Sequence, residues 1–75
     1  MKTGVWLNYP GVPLEDKQVV LIRRRNKSWY DMATYNAYEE CFDDSFGNDY
    51  FCDLEDVVQI LLIPDFDWKY ERIKI

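Results

Sequence analysis

The chain has 75 residues, with nine Lys and Arg against 14 Asp and Glu, a net charge of −5 and no histidine. That length allows one small domain, residues 1–75, which buries only about 60–65 % of its unfolded surface, and the 13 Phe, Trp and Tyr residues supply the area for a core without metal. The charge argues against unaided binding to nucleic acid or an anionic membrane, and the missing histidine removes the commonest general base and zinc ligand.

The charge is strongly segregated. Residues 1–27 carry six basic and two acidic groups, residues 28–67 carry eleven acids and no base, and residues 68–75 carry three bases and one acid. A typical soluble domain mixes the signs, so a concentrated negative field on one part of the molecule is expected. The opening "MKTGVWLNYPGVPLED" lacks the apolar run of a signal peptide, since Asn8, Tyr9 and Pro10 interrupt it. No stretch reaches the ~18 apolar residues of a membrane span. The expected compartment is the cytoplasm, where Cys41 and Cys52 are free thiols.

In chain order, "NYPGVPLEDK" has turn chemistry, with Pro10-Gly11 as a punctuator and Pro13 fixing an extended position. In "KQVVLIRRR" the run Val19 to Ile22 is β-branched and too short for a helix, which predicts a strand. Asn26-Lys27 reads as a two-residue turn, Asn tolerating positive φ. "SWYDMATYNAY" reads as the partner strand, with Trp29, Asp31, Ala33 and Tyr35 on one face and Tyr30, Met32, Thr34 and Asn36 on the other. Next, "EECFDDSFGNDYFCDLED", residues 39–56, holds eight carboxylates among four aromatic side chains. Gly47-Asn48 marks a turn within it, and Asp53 is placed to cap a short helical turn through Leu54, Glu55 and Asp56. "VVQILLI", closed by Pro64, reads as a buried central strand. The tail "DFDWKYERIKI" alternates weakly and suits an edge strand or a frayed end.

The expected fold class is mainly β, or small α+β: a three- to four-stranded antiparallel sheet with an acidic, aromatic-rich connection and one short helical turn. The path of residues 37–56 and the strand order are left open.

Trp6, the segment "VPLEDKQVVLIRRR", the Trp29 to Tyr35 segment and the closing "VVQILLIPDFDW" resemble a family of short phage and prophage domains of unknown function. In that family a Trp precedes a Leu-Pro-x-x-x-x-x-Val-Leu-Val hairpin strand, and a late strand ends in a Trp-x-Pro-Leu-Pro type sequence. Here Val12-Pro13 stands where Leu-Pro is usual, and Ile63-Pro64 stands for the final Leu-Pro. The match covers residues 6–25 and 57–64, and the acidic insert between departs from it. The resemblance implies a viral or prophage origin and a small β-rich fold, and it supplies no catalytic residues.

The residues themselves disfavour most chemistries. Two cysteines do not complete a structural zinc site, and a carboxylate field raises their pKa and so disfavours a nucleophilic role. A calcium loop begun at Asp44 would place Glu55 last and Asn48 fifth, but Phe46 falls at the third position and Asp49 at the sixth, where Gly is needed. The three glycines, at 4, 11 and 47, are isolated and form no phosphate loop. No catalytic residue, metal or cofactor is expected, and the chain is not expected to be an enzyme.

What remains is binding. The leading expectation is a phage-derived inhibitor of a host nucleic-acid-handling or defence enzyme, of anti-CRISPR or anti-restriction type. It would act in the host cytoplasm by presenting a DNA-mimicking carboxylate surface to a basic groove of a nuclease or effector complex. The expected contact residues are Asp31, Glu39, Glu40, Asp43, Asp44, Asp49, Asp53, Glu55 and Asp56, with Phe46 and Tyr50 as aromatic contacts. The alternative is a structural or assembly accessory protein that forms a homo-oligomer, or serves as a small subunit, through its β-hairpin, without DNA mimicry. For the run Arg23 to Arg25, pairing with the chain's own acids is expected, with Arg23 and Arg25 on one strand face and Arg24 on the other.

Overall fold

A computed structural model describes residues 4–63. Six strands occur in chain order: β1 (Trp6–Asn8), β2 (Val19–Arg24), β3 (Tyr30–Asn36), β4 (Cys41–Asp43), β5 (Tyr50–Asp53) and β6 (Val57–Leu61), with a 3-10 turn at Leu54–Asp56. They form one antiparallel sheet in the order β1-β6-β2-β3-β4-β5.

The mainly β, antiparallel expectation holds, but the count of three to four strands does not. Three strands are added, β1 through a distant partner and β4 and β5 as a hairpin of their own. β1 is three residues long and exists because Trp6, Leu7 and Asn8 pair with Leu61, Ile60 and Gln59, more than fifty positions away in sequence. The acidic connection is itself a hairpin, in which Cys41 and Phe42 of β4 face Asp53 and Cys52 of β5. The tail expected as an edge strand lies outside the described residues.

The β-branched run of β2 lies between β6 and β3, and Val20 and Ile22 alternate inward from it. Ile22 meets Ile60 across one ladder, and Val20 meets Ala33 across the other. With Phe42, Cys52, Val57 and Leu62 they make the core. β3 alternates as expected: Ala33 and Tyr35 face this core, while Tyr30 and Met32 are exposed on the opposite side. On β2 the same alternation sends Arg24 inward and Arg23 outward.

The connection after β2 is longer than the two residues expected. The strands stop at Arg24 and resume at Tyr30, leaving residues 25–29 between them. Asn26 does take the left-handed conformation, with φ 65°, for which its short polar side chain is suited. Arg25 is held instead by the 3-10 turn before β6, its N–H donating to the Asp56 carbonyl at 2.7 Å.

The sheet curls strongly. β1 and β4 are separated by three strands in sheet order, yet the ring of Tyr9, just past β1, meets that of Phe42 on β4 edge-on at 5.9 Å. Tyr35 contacts Phe42 in the same manner at 5.7 Å. Right-handed strand twist brings the ends of the sheet together in this way, and the fully buried Phe42 ring becomes the centre of the closed side. The long loop between β1 and β2 is tied down by backbone bonds, Lys17 N–H to the Tyr35 carbonyl and Tyr35 N–H to the Gln18 carbonyl. The Asp16 carboxylate also accepts the Ala37 N–H at 2.9 Å.

Candidate functional site

The acidic residues are positioned by the β4–β5 hairpin and the two turns that flank it. At its tip, the Asp44 carboxylate accepts the backbone N–H groups of Asn48 and Phe46, at 3.0 and 3.1 Å. These bonds, that from Asn48 foremost, hold its carboxyl below the usual carboxylate range. Gly47 supplies the positive φ the turn needs, 77°. The resulting loop exposes Phe46 and Asp49.

At the other end of the hairpin, Asp53 precedes the 3-10 turn as its N-cap, as expected from sequence. Its backbone N–H donates to the Asp56 carboxylate at 3.3 Å, and its own carboxylate accepts the Tyr50 hydroxyl at 2.7 Å. That second bond, with burial and the Asp53 charge behind it, pushes the Tyr50 phenol up to about 12. The β3–β4 turn adds Glu39, whose N–H is held by the Asn36 side chain, and Glu40, whose backbone is left-handed at φ 54°.

The eleven expected contact residues divide into two sets. Glu39, Glu40, Asp49, Asp53, Glu55 and Asp56 are exposed, as are Phe46 and Tyr50. Three acids are committed inside the fold. Asp43 is buried, with one oxygen accepting from the Asn36 amide at 3.0 Å and the other facing the Cys41 thiol at 3.6 Å. It therefore does not belong to an accessible surface, because pairing with Thr34 in the register of β3 and β4 places it in the middle of the sheet. Asp31 is bound to Arg24, and Asp44 serves its own turn.

The expectation that the arginine run pairs with the acids holds for one residue of three. Arg24 makes the ion pair with Asp31 at 3.3 Å and lies 4.6 Å from the centre of the Phe51 ring. Arg23 instead stacks over Trp6 at 4.5 Å and donates to the Gln59 amide oxygen, while Arg25 donates to the Glu55 backbone carbonyl at 2.8 Å. The Arg24–Asp31 contact is the one ion pair among the described residues. Glu39, Glu40, Asp49, Asp53, Glu55 and Asp56 thus have no ion-pair partner among those residues.

A cleft of about 630 Å³ opens beside this surface. Tyr9, Pro10, Leu54 and Val57 contribute apolar groups to it; Glu40, Asp53, Glu55 and Arg25 contribute charge. Sequence reasoning found the acids and missed the cleft, because its lining comes from four separated segments that only the curled sheet brings together.

The cysteines lie on opposite faces of the hairpin: Cys52 pairs with the inward-facing Phe42, and Cys41 with the outward-facing Asp53. Both are free and buried. Burial pushes the Cys52 thiol up to about 11, and burial with the Asp43 carboxylate raises Cys41. Both are protonated at neutral pH and are poor nucleophiles in that form. Among the described residues no group of three or more His, Cys, Asp or Glu side chains is arranged to hold a metal ion. No helix there is long and apolar enough to cross a membrane.

The fold and surface define a small antiparallel β domain with an acidic, aromatic-bearing edge. No family model, curated protein or solved structure matches the chain.

Proposed function

We propose that this domain is a protein-binding module that places its acidic edge in a basic groove of a nucleic-acid-handling enzyme and inhibits it by mimicking DNA. The observation that carries the reading is the unpaired state of the exposed acids: among the described residues no cation pairs with Glu39, Glu40, Asp49, Asp53, Glu55 or Asp56. A field left without ion-pair partners among the described residues favours and steers association with a basic partner. Exposed Tyr38, Phe46 and Tyr50 add the aromatic groups that carry binding energy at the centre of interfaces. The resemblance to phage domains favours a host defence nuclease or effector complex as the target, in the host cytoplasm.

The test is affinity capture from a bacterial lysate, with the wild-type chain compared to one carrying Glu39→Lys, Glu40→Lys, Asp49→Lys and Glu55→Lys. A nuclease or effector complex held at low salt, released at high salt, displaced by duplex DNA and lost from the variant is the expected result. Capture that survives the four reversals would remove the acidic-edge reading.

A second reading, self-assembly, is favoured by a different observation. Arg23 over Trp6 and Lys27, 5.5 Å from the centre of the Trp29 ring, set two cations on aromatic rings, and neither cation has a carboxylate partner among the described residues. These groups complement the acidic edge of a second copy. Light scattering decides: a mass above that of the 9.1 kDa monomer, collapsing on Lys27→Glu, supports assembly, and a strict monomer at millimolar concentration excludes it.

A further inference from the structure

The cleft beside the acidic edge has the chemistry of a pocket for one kind of side chain. Its volume, about 630 Å³, lies in the roughly 300–1,000 Å³ range of sites that enclose a small ligand. Pro10, Leu54 and Val57 provide apolar contacts, and the ring of Tyr9 is fixed edge-on against Phe42. Three acidic residues, Glu40, Asp53 and Glu55, line the cleft beside a single basic one, Arg25. Arg25 pairs with none of them: it donates to the Glu55 backbone carbonyl and makes no ion pair among the described residues. Asp53 is shared with the Tyr50 hydroxyl, which leaves Glu40 and Glu55 as the cleft carboxylates that accept no hydrogen bond among the described residues.

We propose that this cleft receives an arginine side chain from a basic segment of the protein partner. The inference rests on the acidic-edge reading and specifies where its first anchor sits. An apolar stem with a cationic head matches apolar groups bordered by carboxylates, since long basic side chains cover apolar surface with their methylenes while the head stays polar. Arginine fits better than lysine. Its planar guanidinium stacks on a tyrosine ring and offers paired N–H donors to two carboxylates, whereas an ammonium is a strongly hydrated point charge.

The probe is the tripeptide amide acetyl-Gly-Arg-Gly-NH2, titrated into the 75-residue chain and followed by amide shifts in NMR, beside its lysine and citrulline counterparts. Citrulline keeps the shape of arginine and removes the charge. Saturable shifts centred on Tyr9, Leu54 and Val57 are expected with the arginine peptide, weaker ones with lysine and none with citrulline. The pair Glu40→Gln and Glu55→Gln, with an unchanged spectrum elsewhere as its check on folding, is expected to weaken binding about tenfold. Absence of saturable shifts at those three amides overturns the proposal. So do shifts of equal size for all three peptides, or shifts spread evenly over Glu39 and Asp49. Arginine binding with no salt-sensitive partner captured from lysate would remove the acidic-edge reading and keep the pocket. A captured partner that leaves Tyr9, Leu54 and Val57 unshifted would do the reverse.

Discussion

The guanidinium of Arg24 stands 3.3 Å from the carboxylate of Asp31, and it is the one place among the described residues where the basic and acidic halves of the chain meet as an ion pair. Arg24 reaches it because the alternation of β2 turns it inward, onto the ring of Phe51. Both side chains are partly exposed, at 22 % and 29 %, so the pair is screened by solvent and contributes modestly. Asp31→Asn is expected to lower stability by about 0.5–1 kcal/mol in urea unfolding. Arg24→Ala should cost more, about 1–2 kcal/mol, because it also strips the cation and its methylenes from Phe51. Equal losses for the two variants would show that the ring contact contributes nothing.

Salt should stabilise the protein. One partly exposed ion pair is weakened by screening, while the repulsion among Glu39, Glu40, Asp53, Glu55 and Asp56 at one end of the hairpin is relieved. Raising sodium chloride from roughly 0.02 to about 0.5 M shortens the Debye length several-fold and is expected to raise the melting temperature. A fall in that temperature would mean that the exposed acids are paired after all.

Phe42 sits at the closure of the sheet, fully buried between Tyr9 and Tyr35. Phe42→Ala removes a ring at the site where the ends of the sheet meet, at a cost of about 3–5 kcal/mol. That is a large share of the total stability of a small domain. The variant should be largely unfolded by circular dichroism, whereas Phe42→Leu should fold with a lowered urea midpoint.

Stability should also decline in alkali. The Cys52 thiol is held up to about 11 in the fold by burial, against about 8.5–9 for an exposed thiol. The folded state therefore keeps a proton that the unfolded chain releases. The contribution is complete below the unfolded pKa and is lost as pH rises through about 9 to 11. Urea midpoints should fall across that window in the wild type and fall less in Cys52→Ala. For the same reason, iodoacetamide should modify Cys41 and Cys52 slowly at neutral pH and rapidly in urea.

Glu40 adopts a left-handed backbone conformation, φ 54°, which costs a residue other than Gly about 1–2 kcal/mol. Glu40→Gly is expected to stabilise the fold by about 0.5–1 kcal/mol while removing one carboxylate from the cleft. Higher thermal stability combined with weaker binding of the arginine peptide would separate the two roles of this position.

Features governed by neighbours in sequence were legible before the structure. The β-branched run at Val19 to Ile22 became β2, and the alternation from Tyr30 to Tyr35 assigned the correct faces of β3. Asn26 took the left-handed conformation, Gly47 the turn, and Asp53 the head of the helical turn. Each rests on a local preference of one backbone position or on the two-residue period of a strand. The three-residue strands at Trp6–Asn8 and Cys41–Asp43 were not legible, because so short a segment carries no period of its own and is defined by its partner.

For the candidate site, the sequence by itself determined that eleven acids without a base occupy residues 28–67, since charge is a property of composition. Only the tertiary structure decided which of them remain available. Strand register buried Asp43, inward alternation gave Asp31 to Arg24, and the hairpin turn took the carboxylate of Asp44. The cleft was decided entirely at that level. Tyr9, Arg25, Glu40 and Leu54 are brought to one wall by the twist of the sheet, a long-range consequence of pairing that no stretch of the chain encodes alone.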